Sequence, residues 1–171
     1  MNFDTQARLK PSSHSEKSRM SVAEYSSEEV LGQFLALYNG MDFKTEIENL
    51  GVNRFNASRR KRVQREFQGL SIALWRLALL KSFPNDSERF FQEFIKKSPI
   101  MNTHDCSGEE MHLRVSVYIE LLEEKKDRDF LPVAGFLANV LALDEDDVER
   151  LRLKLSLIIR NLYTRIFTKL V

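Results

Sequence analysis

The densest cluster of cationic side chains lies just before the longest apolar segment of this 171-residue chain. It contains no acidic residue and comprises Arg54, Arg59, Arg60, Lys61, Arg62 and Arg65. The sequence predicts a helix that begins near Ser58, and cations at a helix start face the positive end of its dipole. An anionic partner would offset that unfavourable placement, so nucleic acid is one predicted partner of this basic block. The alternative is a solvated helix end whose cations pair with the acidic run at 144–147.

Arg76 is the single charged residue inside the apolar run at 70–80. A buried guanidinium needs a carboxylate or a bound anion, because an unpaired buried charge is very costly. Arg76 is therefore a candidate anion anchor in a pocket. The alternatives are a partly exposed arginine whose stem covers Trp75, or an ion pair with a glutamate of a neighbouring helix. A pocket in which several charged side chains converge on Arg76 would favour a ligand-binding protein or an enzyme.

Local motifs for catalysis, metals or cofactors are missing from the sequence. The spacing of His104, Cys106 and His112 matches no common zinc site, and a lone cysteine near a histidine in sequence predicts no nucleophile. The acidic run at 144–147 lacks the spaced ligands and the glycine of a calcium-binding loop. We therefore predict no catalytic residue, no metal site and no cofactor, and we expect a non-enzymatic protein.

The composition limits the class of fold, but it does not identify a binding partner. The 26 basic and 25 acidic side chains leave a net charge of +1, so global charge favours neither nucleic acid nor a membrane surface. Six glycines and four prolines are few for an all-β fold. One cysteine excludes an intramolecular disulfide and suits a reducing compartment, so a cytoplasmic location is predicted. No run approaches the roughly 18 apolar residues of a membrane-spanning helix.

The segment at 58–82 predicts a long helix at the centre of the fold, because it is apolar around most of its circumference. Gly69 and Ala73 lie one turn apart within it and predict a close approach by a neighbouring helix. Other stretches with helical periodicity give about six helices in total. Residues 1–25 are rich in serine and poor in apolar side chains, which predicts a flexible tail before a single all-α helical-bundle domain at 26–171.

The last predicted helix carries two leucines away from its main apolar face, Leu153 and Leu157. Two leucines one turn apart on the outer side predict a contact with a second subunit or another protein. The leading functional prediction is therefore a helical interaction, adaptor or regulatory domain that forms a homodimer. Nucleic-acid binding through the basic block is the first alternative. An enzyme or small-ligand-binding protein, with a site built from distant residues, is the second.

Overall fold

The computed structural model describes residues 26–52, 55–99, 108–141 and 148–170, and within these ranges the chain is all-α with no strand. Seven helices follow one another there: α1 (Ser27–Asn39), α2 (Lys44–Asn49), α3 (Ala57–Ser82), α4 (Ser87–Lys97), α5 (Gly108–Lys125), α6 (Leu131–Leu141) and α7 (Val148–Leu170). The predicted all-α class is confirmed, with one short helix beyond the approximate six. The predicted tail at 1–25 lies outside the described residues.

Helix α3 is the central element, as predicted. Its first turn is capped by Asn56, whose side-chain oxygen accepts a hydrogen bond from the Arg59 amide at 3.0 Å. The helix therefore begins at Ala57, one residue before the predicted start near Ser58. Helices α4, α5 and α7 all pack against α3.

Helices α3 and α5 run in the same direction. In the ion pairs that join them, the residue numbers rise together on both sides. The pairs are Glu66 with Arg114, Arg76 with Glu123, and Lys81 with Asp127. Helix α4 lies between them in the chain and packs on α3 and α1. This parallel arrangement brings the carboxyl-terminal ends of α3 and α5 to the same end of the bundle.

An aromatic cluster covers the face of α3 that carries Trp75. The Trp75 ring stacks on Phe34 of α1 at a centroid distance of 4.4 Å and meets Phe94 of α4 edge-on at 5.0 Å. Phe91 of α4 completes the cluster at 6.2 Å. Trp75 is consequently buried on all sides, and the prediction that the other helices enclose this segment is confirmed.

Leu80 is more exposed than the apolar run at 70–80 predicts. It belongs to the apolar run that predicted a covered rod, yet 40% of its surface is exposed. The exposure arises because α3 and α5 are not fully covered near their carboxyl-terminal ends, and the open space between them forms a cleft.

Candidate functional site

The cleft lies between the last turns of α3, the end of α5 and one residue of α7. Its volume is about 650 Å³, which falls within the range of small-molecule sites in proteins. Its apolar lining residues are Ala73, Leu77, Leu80, Ile119 and Leu122. Leu77 and Leu122 are buried, so the floor of the cleft belongs to the hydrophobic core.

Charged side chains surround this apolar floor. Four cationic and two acidic residues line the cleft: Arg76, Lys81, Lys126, Arg128, Glu123 and Asp127. Lys81 forms a hydrogen-bonded ion pair with Asp127, and this bond holds the pKa of the Asp127 carboxyl below its usual range. Lys126 and Arg128 form no ion pair with any described residue. The lining therefore carries an excess of positive charge.

Tyr163 of α7 contributes the one buried aromatic hydroxyl in the cleft lining. The residue is only 7% exposed, and its hydroxyl has no hydrogen-bond partner among the described residues. Burial, and then the charge of Asp127, raises the pKa of Tyr163 to about 12. The hydroxyl therefore keeps its proton at neutral pH and is a donor with no acceptor, which is uncommon for a buried polar group.

Arg76 lines the cleft and is also held by acids from two neighbouring helices. Its guanidinium lies 3.5 Å from Glu88 of α4 and 3.5 Å from Glu123 of α5, and it sits 5.7 Å from the ring centre of Phe91. The alternative of an ion pair with a neighbouring glutamate thus describes its contacts. The role of Arg76 as an anion anchor stays a prediction, since two carboxylates already share its charge.

The part of the basic block from Arg59 to Arg65 lies in the first turns of α3, but the structure does not bring it to the cleft. Arg59 and Lys61 have further contacts within the protein, whereas the side chains of Arg62 and Arg65 form no ion pair with the described residues. Nη1 of Arg60 is buried without a hydrogen-bond partner in the described part of the chain. Arg54 and the acidic run at 144–147 lie outside the described residues, so their predicted pairing stays a prediction.

Leu153 and Leu157 lie on the outer face of α7, with 56% and 61% of their surface exposed. Helical geometry places each about 160° around the axis from Leu155, which is fully buried. The two leucines therefore point away from the core that α7 shares with α3 and α6.

A buried polar cluster near the start of α3 was not predicted from the sequence. Glu66 is 6% exposed and accepts hydrogen bonds from Nε of Arg114 at 2.9 Å and from the Tyr118 hydroxyl at 2.7 Å. Burial, together with the adjacent Glu66 charge, raises the pKa of Tyr118 far above its usual value. Glu66 occupies the apolar stripe of α3 between Val63 and Phe67, and that position was the available signal for a buried carboxylate.

The described residues contain neither a cluster of metal-ligand side chains nor a helix that could span a membrane. Within them, no three side chains of histidine, cysteine, aspartate or glutamate come together as a metal site requires. His104 and Cys106 lie outside the described ranges, and His112 is exposed on α5. Each helix that the structure describes is too short or too polar to cross a membrane.

The chain was compared with protein-family models, with curated proteins and with solved structures, and none of the three comparisons gave a match. Functional inference therefore depends on the geometry of this chain alone.

Proposed function

We propose that this protein is a non-enzymatic interaction protein that self-associates through the outer face of α7, in a cytoplasmic setting. The observation that carries the proposal is the exposure of Leu153 and Leu157, one turn apart and opposite the core face. The inner face of α7 is already buried by α3, α6 and α1. The two leucines therefore contribute little to the fold of the protomer, and their burial would stabilise an assembly.

The spacing of these leucines defines how such a dimer would pack. In an antiparallel pairing of two α7 helices, Leu153 of each protomer packs against Leu157 of the other. Each leucine then buries its exposed surface against the partner, and this apolar contact stabilises the assembly.

Sedimentation equilibrium of the full chain tests the proposal. The mass should exceed the 20.0 kDa of one chain and should rise with protein concentration. Leu157→Glu should give the monomer mass, because it would bury a carboxylate against leucine. Leu113→Glu is the matched control, since Leu113 is an exposed leucine on α5. A monomeric wild type at every concentration, or equal dissociation by both variants, would remove self-association through α7.

A further inference from the structure

The cleft between α3, α5 and α7 has the features of a ligand site that is separate from the outer face of α7. Three independent observations meet there: an open volume of about 650 Å³, an apolar floor, and a buried tyrosine hydroxyl without an acceptor. Sites for small molecules combine mainly apolar walls with a few converging polar groups, which is the combination observed.

The charges of the lining restrict the ligand to an anion. Asp127 is neutralised by Lys81, and Glu123 is engaged by Arg76. Lys126 and Arg128 are the cations of the lining without an ion pair among the described residues, and the charge of Arg128 also helps to lower the pKa of Asp127. With Glu88, which contacts Arg76 from α4, the cleft has four cationic and three acidic side chains, so one positive charge remains in excess. A cationic ligand would face repulsion here, whereas an anionic head group would be attracted.

The apolar floor requires that the same ligand has a hydrophobic body. Leu80 is 40% exposed, and it is the only leucine of the run at 70–80 that the structure leaves so open. An aliphatic chain placed along Leu77, Leu80 and Leu122 would cover that surface. A fully hydrated anion such as inorganic phosphate would leave the floor uncovered and is a poorer fit.

Tyr163 supplies directional recognition. Its hydroxyl has no acceptor among the described residues and is closed to solvent in the free protein, so it can donate a hydrogen bond to an oxygen of the ligand once the side chains that cover it move aside. A carboxylate provides such an oxygen and also the charge that Lys126 and Arg128 attract.

We propose that the cleft binds a free, singly charged amphiphile, namely an aliphatic carboxylate. Its chain lies along the apolar floor, and its head group is held by the Tyr163 hydroxyl with Lys126 and Arg128. The site requires no second copy of the chain, so it stands whether or not α7 mediates a dimer.

Calorimetric titration with decanoate, kept below its micelle concentration, tests the site on the full chain. Decanoate should bind saturably, and decanol, with the same chain length and no charge, should bind at least several-fold more weakly. Combined Lys126→Glu and Arg128→Glu should weaken decanoate binding on the order of tenfold. Arg62→Glu with Arg65→Glu makes the same charge change on α3 outside the cleft and should leave the affinity unchanged.

Tyr163→Phe separates a ligand-binding role from a structural one. It keeps the ring and removes a hydroxyl that bonds to nothing in the described protein, so the free variant should be as stable as wild type or more stable. Decanoate affinity should nevertheless fall. A loss of stability with unchanged affinity would assign the hydroxyl to the fold and overturn its role in binding.

Three other outcomes would overturn the proposal. Equal affinity for decanoate and decanol would show that the cations take no part. Association with vesicles of anionic phospholipid, without saturable binding of free decanoate, would indicate a membrane-surface contact. Equal weakening by the Arg62 and Arg65 control would show that only the net charge of the protein matters.

Discussion

Replacing Gly69 by alanine should change the stability of this protein in a direction that depends on Arg114. Gly69 lies in the interior of α3, where alanine is normally preferred by about 1 kcal/mol. A methyl group at Gly69, however, would lie 2.9 Å from both Cγ and Cδ of Arg114. These atoms are in the middle of the arginine stem, so the whole side chain would have to move. The close approach predicted from Gly69 and Ala73 is thus made by a side chain of α5.

Moving the Arg114 side chain should cost more free energy than the helix gains from alanine at position 69. Moving Arg114 breaks its 2.9 Å hydrogen bond to Glu66, a carboxylate that is almost fully buried. Hydrogen bonds to charged groups contribute about 1.5–3 kcal/mol and the helix gains about 1 kcal/mol, so the net effect of Gly69→Ala in the wild type is a loss of about 0.5–2 kcal/mol. In an Arg114→Ala background the obstructing atoms are absent. There the same substitution should stabilise the protein by about 1 kcal/mol.

Urea unfolding followed by the fluorescence of Trp75 measures both effects, because Trp75 is the only tryptophan and is buried at the centre of the fold. Gly32→Ala in α1 is the matched control. A methyl group there meets no atom within 4 Å, so it should stabilise both backgrounds by up to about 1 kcal/mol. If Gly69→Ala changes stability in the same direction in both backgrounds, the packing of Arg114 over Gly69 does not determine the result and the reasoning fails.

Three further predictions concern other parts of the molecule. Burial raises the pKa of Tyr118, and unfolded tyrosines ionise near pH 10, so folding stability should fall as pH rises through about 10. Urea unfolding of Tyr118→Phe should therefore show a smaller loss of stability between about pH 9 and pH 11 than wild type shows. If the basic block binds nucleic acid, the affinity for a short duplex should fall steeply with salt, and charge reversal of Arg59, Arg60 and Arg62 should abolish it; retained binding would eliminate this alternative. Lys126 has a φ of 54°, so Lys126→Gly should raise stability by up to about 1 kcal/mol while weakening decanoate binding, and a titration without that loss would remove Lys126 from the site.

The architecture was predictable from the sequence because it depends on local patterns. The apolar circumference of α3 required cover on several sides, and the helical spacing of apolar residues in the other segments supplied it. Ser26 with Glu29 predicted the start of α1, and the reciprocal capping bonds form there. Each of these inferences needs only residues within a few turns of one another.

The candidate sites were less predictable because they depend on contacts between distant residues. Glu66 binds Arg114 and Tyr118, which are 48 and 52 positions away, and no spacing rule connects them. The cleft requires the parallel direction of α3 and α5, and its donor, Tyr163, comes from a third helix. Leu153 and Leu157 were found from sequence because a helical wheel alone shows that they lie opposite the core face.

Two local departures from ordinary protein structure occur around the same cleft, and their coincidence supports its importance. Leu80 is open to solvent within a buried run, and Tyr163 has a buried hydroxyl without an acceptor among the described residues. Lys126 has a positive φ, but it directly follows the last residue of α5 and its amide donates a hydrogen bond to the Leu122 carbonyl at 2.8 Å, so helix capping accounts for its conformation. Leu80 and Tyr163 have no such compensation within the described protein. Sequences that are otherwise consistent with their fold tend to break local rules where a function requires it. An amphiphilic anion would cover Leu80, accept a hydrogen bond from the Tyr163 hydroxyl and engage the charge of Lys126 together.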